Sequence, residues 1–301
     1  MKKNILITGG LGFIGSHLLE KLNDLNYLTT VIDNFAVNPQ YKPSKKVKVF
    51  RQDISDPKVI DLVVKLKPQV IIHLAADNRV TSTQAEALKS NVIGTFNLLE
   101  AGKRAGIKQF IFSSSAAVYG DPEKLPIKET HPTRPISAYG LSKLTGELYC
   151  HQYQSDFAAS IFRFSNVYGP RQSSGSEGGI VSILIDRLLK KEKPIIYGGG
   201  QQTRDFIFVG DIVEAMILAL NKPQSFTLNL GSNQSTKIIT LLKTISRLMK
   251  VKPEYITKPF RPMEIKHSLF DYSQAKKTLS WQPKTKLTAG LYETINYFTS
   301  L

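Results

Sequence analysis

The sequence predicts an α/β fold in which a doubly wound parallel sheet is followed by a smaller α+β domain. In the first half of the chain, short β-branched runs alternate with longer segments of 3.6-residue hydrophobic periodicity. That alternation is typical of a parallel sheet covered by helices on both faces. After about residue 166, glycine and serine cluster, and shorter helical segments are separated by prolines. The simplest division is a sheet domain at 1–165 and a second domain at 166–301, with the chain crossing back between them.

The individual elements follow from the same patterns. Strands are expected at 4–8, 30–33, 47–51, 69–74, 108–114 and 159–164, and helices include 16–25 and 91–101. The segment 121–135 holds four prolines and is expected to be a long loop. In the second domain, apolar residues on one helical stripe predict core packing, and they are Ile238, Leu241, Leu242, Ile245, Leu248 and Met249.

Composition excludes several classes of protein. Hydrophobic residues make up 42% and charged residues 21% of the 301 residues, which supplies a sizeable core and argues against disorder. The single cysteine, Cys150, allows no internal disulfide, and the five histidines lack metal-ligand spacing, so no metal site is expected. No apolar run approaches the roughly 18 residues of a membrane span. We therefore expect a cytoplasmic protein with no membrane partner.

The net charge of +16 arises from 40 basic and 24 acidic residues spread along the chain. Nucleic-acid binding would favour a continuous basic stripe with interleaved aromatic residues, and the sequence holds none, so no nucleic-acid partner is expected. A positive field could draw in a small anionic substrate. A solvated basic surface explains the same charge, and composition does not decide between the two.

A glycine-rich turn follows the first predicted strand and precedes the first predicted helix. Its first glycine permits a tight turn, its second lets the backbone approach a pyrophosphate, and its third lets the helix pack close to the strand. The helix N-terminus then offers free N–H groups to phosphate. This placement predicts a dinucleotide site of the Rossmann type at Gly9, Gly12, Phe13, Ile14 and Gly15.

One acidic residue ends the second predicted strand, and another follows the third. Asp33 lies 24 residues beyond the first glycine, where a carboxylate should accept hydrogen bonds from an adenosine ribose and repel a 2′-phosphate. Asn34 follows, and no cation lies between it and Lys42, so NAD is favoured over NADP. Asp53 could cap the following turn or reach the adenine amino group, and a cap is also the alternative for Asp33. After the fourth strand the residues are small enough for the backbone to run beside a bound cofactor, and they are Leu74, Ala75 and Ala76.

Tyr139 and Lys143 lie four residues apart in a predicted helix, a spacing that places both side chains on one face. A nearby ammonium favours the phenolate and should lower the pKa of Tyr139 from about 10, and a positively charged nicotinamide would act in the same direction. Such a tyrosine becomes a base for an alcohol. Ser115 ends another predicted strand, and ligands of parallel sheets collect at the carboxyl ends of strands. We expect Ser115 to hold the reacting oxygen beside Tyr139. Chance spacing of the helical pair and a turn cap at Ser115 are the alternatives.

Together these motifs resemble the extended short-chain dehydrogenases/reductases of the NAD-dependent epimerase/dehydratase family. The resemblance runs nearly end to end and is carried by Asp33 and the segments 8–15, 53–54, 73–76, 91–95, 113–120, 139–143, 163–171, 195–200, 202–211 and 261–262. It implies Ser115, Tyr139 and Lys143 as catalytic residues, the last two also contacting NAD, and it adds Ile54 and Asn91 to the cofactor site. It also implies a homodimer built from the helices around 91–101 and 139–153.

The two residues after Ser115 sort the reactions of this family. Dehydratases of nucleotide sugars usually carry Asp-Glu there, and decarboxylating relatives usually keep the glutamate. Here the pair is Ala116-Ala117, which transfers no proton, and the segment 113–120 resembles the UDP-glucose 4-epimerase version. The expected activity is inversion of C4 of a UDP-hexose through a transient 4-keto intermediate. A reductase or dehydratase of the same family and, more distantly, a non-catalytic dinucleotide sensor are the alternatives.

From the resemblance, the second domain is expected to hold the UDP-sugar. The residues implied are Asn166, Gly179, Val181, Tyr197, Arg204, Arg261 and Ser268. Guanidinium forks match phosphate oxygens, although each arginine taken singly could be a surface charge. Ser268 is small enough to admit an N-acetyl group at C2, so UDP-GlcNAc and UDP-glucose are both candidates. The segment between Ala76 and Asn91 departs from the family, because it is shorter and lacks the frequent Asp-Pro.

Overall fold

The computed structural model describes residues 3–36, 41–78, 83–175, 178–260 and 265–301. Its strands are β1 Asn4–Thr8, β2 Leu28–Asp33, β3 Lys48–Arg51, β4 Val70–His73, β5 Gln109–Ser115, β6 Ala158–Phe164, β7 Asn166–Tyr168, β8 Ile195–Tyr197, β9 Thr203–Phe208, β10 Phe226–Leu230, β11 Ser235–Lys237 and β12 Ile256–Lys258. Its α-helices are α1 Phe13–Asp24, α2 Lys58–Leu66, α3 Gln84–Ala87, α4 Gly94–Ala105, α5 Ala138–Gln152, α6 Ile180–Leu189, α7 Val209–Leu220, α8 Ile238–Leu248, α9 Ser273–Leu279 and α10 Leu287–Thr299. A π-helical segment, Leu88–Ile93, leads directly into α4.

Within the described residues, the main sheet has seven parallel strands in the order β10-β6-β5-β4-β1-β2-β3. The strand order reverses between β1 and β4, and ligands of open α/β sheets bind outside the carboxyl ends of strands at such a switch point. The predicted Rossmann-type α/β fold is confirmed. The topology thus predicts a ligand site at the carboxyl ends of β1 and β4.

The sheet is buried on both faces because its central strands are apolar at consecutive positions. Ile5 and Ile7 lie in one core with α1, α7 and α9, whereas Leu6 lies in the opposite core with α2, α4 and α5. All three side chains are fully buried. A parallel strand covered by helices on both sides needs apolar residues on both faces, and this explains the continuous run of β1.

The remaining strands form smaller sheets. Strands β11, β9 and β7 make one sheet and β12 pairs with β8, and helices α6, α8 and α10 pack around them in a third core. The predicted apolar stripe lies on α8 and its C-terminal cap, with Leu241, Leu242 and Ile245 fully buried. Strand β10 lies late in the sequence but pairs with β6 in the main sheet, so the second half of the chain supplies an edge strand to the first.

Candidate active site

The glycine-rich turn sits at the switch point, between the end of β1 and the start of α1. A Cβ on Gly9, whose φ is +68°, would lie 2.7 Å from the backbone of Ala75. A Cβ on Gly15 would lie 2.2 Å from the carbonyl oxygen of Gly9. A Cβ on Gly12 would meet only that same oxygen, at 3.3 Å, so its outward side stays clear of the described chain. The turn is therefore packed on the inside and open where a pyrophosphate would approach α1, which fits a dinucleotide.

Asp33 ties β2 to this turn. Its carboxylate accepts hydrogen bonds from the backbone nitrogens of Leu11, at 3.0 Å, and Phe35, at 2.9 Å. The neighbouring Asn34 side chain accepts from the nitrogen of Ala36 at 3.0 Å. Each carboxylate oxygen can accept a second hydrogen bond besides the one from the backbone. Asp33 could therefore still accept hydrogen bonds from a ribose diol.

No cation lies close to Asp33 along the chain, but the fold brings one near it. Arg51 of β3 stands opposite Asp33 in the strand register and lies over the ring of Phe35, 5.7 Å from its centroid. The expectation of a cation-free neighbourhood is therefore wrong in space, because strand pairing joins residues that are distant in sequence. A carboxylate at Asp33 would still repel a 2′-phosphate, which continues to favour NAD.

The remaining proposed cofactor segments converge on the same edge. The nitrogen of Leu74 donates to the carbonyl of Thr8 at 3.0 Å, which extends β4 beside β1. Asp53 accepts from the nitrogen and the hydroxyl of Ser55, at 2.9 and 2.8 Å, and so makes the turn cap that was one of its two expected roles. Ile54 is buried under Gly94, where a Cβ would lie 2.6 Å from its side chain.

Asn91 lies in the π-helical segment and joins the cofactor edge to the catalytic helix. Its amide oxygen accepts from the nitrogen of Asp77 at 2.7 Å. Its amide nitrogen donates to the carbonyl of Asp77 at 2.9 Å and to the hydroxyl of Ser142 at 3.0 Å. π-helical turns inside helices are frequent at functional sites. The protein partners of Asn91 give it a positioning contact that its place in the sequence did not reveal.

The three proposed catalytic residues meet at the carboxyl end of β5. The side chain of Ser115 faces the phenol of Tyr139, and their hydrogen bond favours the phenolate. The amine of Lys143 donates to the carbonyl of Ser113 at 2.7 Å and lies 5.9 Å from the Tyr139 ring centroid. Tyr139 keeps part of its residue surface exposed although its phenol is buried, and Lys143 is buried as a whole. A strand end and one helix face therefore supply a hydroxyl, a phenol and an amine to one place.

The expected lowering of the Tyr139 pKa by Lys143 is wrong for the ligand-free chain. Burial raises the pKa of Tyr139 to about 12, against the smaller effect of Ser115. Burial also lowers the pKa of Lys143 to about 8, with Cys150 and Glu147 acting in the opposite direction. Loss of hydration disfavours the charged form of both groups. The phenol of Tyr139 is therefore protonated at neutral pH in the ligand-free chain.

The proposed nucleotide-sugar residues are distributed over the second group of strands and helices. Asn166 opens β7 opposite Phe206 of β9, and Tyr197 ends β8. Gly179 is the N-cap of α6, and the side chain of Val181 is buried in the third core, so only its backbone can face a ligand. Arg261 lies outside the described residues.

Arg204 and Ser268 are adjacent in space although 64 positions separate them. Arg204 lies in β9, one residue after Thr203, and its guanidinium donates to the Thr203 carbonyl at 2.9 Å. The nitrogen of Ser268 donates to that same carbonyl at 3.2 Å. The hydroxyl of Ser268 is buried without a partner among the described residues. A buried unpaired hydroxyl is costly, and a bound ligand would satisfy it.

A buried histidine, not assigned any role from the sequence, braces the centre of this edge. His73 lies between the hydroxyls of Thr8, at 2.7 Å, and Thr95, at 2.9 Å, and its carbonyl accepts from the hydroxyl of Ser113. Burial holds its pKa well below the usual range, with Lys143 adding to the effect. Among the described residues there is no cluster of His, Cys, Asp and Glu that could hold a metal ion. No helix in that part of the chain is long and apolar enough to span a membrane.

Comparisons with known proteins agree across nearly the whole chain. The model of the NAD dependent epimerase/dehydratase family matches residues 5–231. A putative UDP-glucose 4-epimerase of Methanocaldococcus jannaschii is 38% identical over 300 residues, 97% of each chain. The structure of UDP-glucose 4-epimerase from Thermotoga maritima with UDP-glucose has a TM-score of 0.95 at 35% identity, covering 99% of both chains. That of the UDP-N-acetylglucosamine 4-epimerase from Methanobrevibacter ruminantium, with UDP-N-acetylmuramic acid, has 0.93 at 33%, covering 100% of this chain and 99% of that one.

Proposed function

The chain belongs to the NAD-dependent epimerase/dehydratase family, and on this premise we propose that it is a UDP-sugar 4-epimerase. It is an NAD-dependent enzyme, and its reaction inverts C4 of a UDP-hexose through a transient 4-keto intermediate. The observation that carries this proposal is the meeting of Ser115 and Tyr139 at the carboxyl end of β5, directly before Ala116-Ala117. Elimination of water or of carbon dioxide needs an acid or base at those two positions, and alanine is neither.

Each proposed catalytic residue has one task. NAD, held by the glycine-rich turn and Asp33, supplies reversible acceptance of the C4 hydride. Tyr139 takes the proton of the 4-hydroxyl and later returns it, so the phenol must exchange one proton within hydrogen-bond reach. Ser115 orients the reacting oxygen toward the phenol. Lys143, anchored on the Ser113 carbonyl, holds positive charge behind the phenol when it is protonated.

The UDP group is assigned to the second part of the chain. We place the uracil near Gly179, Val181 and Tyr197, the diphosphate near Asn166, and both arginines, Arg204 and Arg261, on the phosphates. The buried hydroxyl of Ser268, without a partner in the described chain, supports a sugar contact next to Arg204. In this proposal residues 1–165 form the dinucleotide domain, and residues 166–301 bind the nucleotide sugar and return β10 and α7 to the main sheet.

We also propose a homodimer in the cytoplasm. Four large apolar side chains on α4 and α5 are exposed, namely Phe96, Leu141, Leu148 and Tyr149. An apolar face of this kind on adjoining helices suits an isologous contact with a second copy. The single buried thiol, Cys150, is compatible with a reducing compartment.

The decisive experiment incubates the purified full-length chain with UDP-glucose, UDP-galactose, UDP-GlcNAc and UDP-GalNAc, with no cofactor added, and resolves the products by NMR. We expect interconversion within at least one pair. Tyr139→Phe should abolish turnover and retain NAD, whereas Tyr292→Phe, at an exposed position of α10, should leave turnover unchanged. Accumulation of a 4-keto product, or dependence on added NAD(P)H, would instead establish a dehydratase or a reductase.

A further inference from the structure

A fully buried ion pair lies one helical turn beyond Lys143. Glu147 of α5 is 1% exposed and Arg163 of β6 is 7% exposed. Arg163 holds the carboxylate at both oxygens, through Nε to Oε1 at 2.9 Å and Nη2 to Oε2 at 2.6 Å. Removing two charges from water is costly, and well-packed apolar residues are often no less stable. Fold stability alone is therefore a weak reason for this pair.

The pair belongs to a regular contact between one helix face and one strand. Tyr139, Lys143 and Glu147 are spaced four residues apart and so lie along the same side of α5. These three residues contact three consecutive serines of β5, one through its backbone carbonyl and two through their side chains. The side chain of Ser115 faces Tyr139, the carbonyl of Ser113 accepts from Lys143, and the hydroxyl of Ser114 donates to Glu147. Glu147 is thus the third anchor of the helix that carries the phenol and the amine.

Arg163 is itself immobilised from the opposite side. Its Nη1 donates to the hydroxyl of Tyr119 at 2.8 Å and to the carbonyl of Glu129 at 3.2 Å. The Tyr119 hydroxyl donates in turn to the Asn229 side chain at 2.7 Å, on the edge strand β10. Burial opposes the charge of Arg163, but the contacts with Glu147 and Tyr119 outweigh it and raise its pKa. A guanidinium with these donors engaged fixes the position of the carboxylate that it grips.

Few charges face Lys143. On α5 they are Glu147, the thiol of Cys150 and the phenol of Tyr139, and burial keeps the thiol neutral by raising its pKa. From β4 the neutral His73 faces it, and from β5 the ring of Phe112 lies 5.0 Å from its amine. Among the described residues, Glu147 is therefore the negative charge that acts on Lys143 near neutral pH, and Arg163 offsets that charge from behind.

We propose that Glu147, gripped by Arg163, is a positioning residue for the epimerase site: it seats α5 on the serine strand and sets the charge behind Lys143. The catalytic role of Glu147 rests on the proposed function, whereas its effect on Lys143 can be measured without any activity. Replacing Glu147 by glutamine leaves Arg163 charged and unopposed, which disfavours a second positive charge on Lys143. Removing both charges restores neutrality behind the amine. A group that served packing alone would not produce this sequence of effects.

The test follows the 13Cε resonance of Lys143 against pH in the full-length chain, assigned with Lys143→Arg. The wild-type midpoint is expected near pH 8. Glu147→Gln should move it down by about one pH unit, the size expected of one nearby charge in a protein interior. Glu147→Gln with Arg163→Met should return it close to the wild-type value. Glu123→Gln, which removes a charge from an exposed pair with Arg134, is the matched control and should move nothing.

Ser114→Ala keeps the inference testable if Glu147→Gln does not fold. It removes a neutral donor from the carboxylate, which leaves more negative potential toward Lys143, so the midpoint should rise. An unchanged midpoint in whichever of these two variants folds would overturn the inference, as would shifts in the same direction in both. In the active enzyme, the pH profile of kcat should move with the midpoint while KM for the UDP-sugar stays constant. If wild-type protein epimerises no UDP-sugar, the proposed function fails and the resonance midpoints still decide the role of Glu147.

Discussion

The carboxylate of Asp33 accepts a hydrogen bond from the backbone nitrogen of Leu11, at 3.0 Å, and so joins the end of β2 to the glycine-rich turn after β1. Its other oxygen accepts from Phe35 at 2.9 Å. Two backbone donors orient the carboxylate before any ligand arrives, which lowers the ordering cost of binding. The same side chain thus shapes the turn and, in the proposed function, presents acceptors to a ribose.

Asp33→Asn should weaken NAD binding by about ten- to a hundredfold, since a hydrogen bond to a charged group is worth about 1.5–3 kcal/mol. The amide offers one acceptor in place of two, so either the turn or the ribose loses a partner. Isothermal titration of cofactor-stripped protein with NAD measures the effect. Asp61→Asn, at an exposed position of α2, is the control for a change of charge. Equal affinity in all three proteins would remove Asp33 from the cofactor site.

Two glycines of the turn should respond in opposite ways to alanine. Gly15→Ala places a Cβ 2.2 Å from the Gly9 carbonyl oxygen, so we expect a stability loss of about 1–3 kcal/mol or more. Gly12 has φ of −73°, and its Cβ would meet only that oxygen at 3.3 Å, so the fold should lose less than about 1 kcal/mol. NAD binding by Gly12→Ala should nevertheless fall by about tenfold or more, because the methyl group would lie where the proposed site places the pyrophosphate. Urea unfolding of both variants measures the loss of packing in the turn, and NAD titration measures the loss of access for the cofactor.

Local patterns were sufficient for most of the main sheet and for the spacing of the site. The predicted strand at 4–8 has the same bounds as β1. A buried parallel strand is a continuous apolar run, which can be recognised from the local sequence alone. Strand β10 was not predicted, since its pairing with β6 depends on residues far upstream. The helix expected at 91–101 begins as a π-helical segment at Leu88, where Asn91 is held by Asp77 and Ser142.

Long-range neighbours and burial account for what the sequence did not show. Arg51 approaches Phe35 only because β3 pairs with β2, and Arg163 grips Glu147 only because β6 lies beside β5. The sign of the Tyr139 pKa was wrong for a related reason. A spacing of four residues gives the proximity of an amine, but not the loss of water around a phenol, and in this site the second effect is larger.

The phenol of Tyr139 should ionise only in strongly alkaline solution when no ligand is bound. Its pKa of about 12 lies above the reference of about 10, so its contribution to stability is present below pH 10 and is lost as pH rises toward 12. The absorbance difference at 295 nm between wild type and Tyr139→Phe isolates this group among the 12 tyrosines. Saturating NAD should shift the difference to lower pH, because a positive charge beside the phenol favours the phenolate. If NAD does not change the midpoint, the phenol of Tyr139 does not lie beside the nicotinamide.

His17 makes the fold sensitive to acid. Its Nε2 donates to the carbonyl of Pro170 at 2.8 Å, and its Nδ1 accepts from Arg171 at 2.9 Å, an arrangement that only the neutral ring satisfies. Burial is the main reason that its pKa falls to about 4. The unfolded chain takes up the proton from about pH 6.5 downward and the folded chain does not, so stability is lost as pH falls from 6.5 to 4.

The loss through His17 should be at most about 3 kcal/mol, from about 1.4 kcal/mol per pKa unit. His17→Gln keeps a donor for Pro170 and cannot titrate, so its melting temperature should depend less steeply on pH over that range than wild type. His151→Gln, at an exposed histidine of α5, should retain the wild-type slope. Parallel slopes for wild type and His17→Gln would assign the acid sensitivity to other groups.

The exposed face of α4 and α5 should hold two copies of the chain together. Leu141 and Leu148 are 58% and 59% exposed and lie seven residues apart, on the same side of α5. Leu148→Asp places a charge in that face, so sedimentation should show a monomer at concentrations where wild type is a dimer. The melting curve of the dissociated variant should remain cooperative, since Leu148 is mostly exposed and belongs to none of the hydrophobic cores of the described residues. Leu28→Asp, equally exposed at the start of β2, should leave the dimer intact, and a wild type that sediments as a monomer would exclude the assembly.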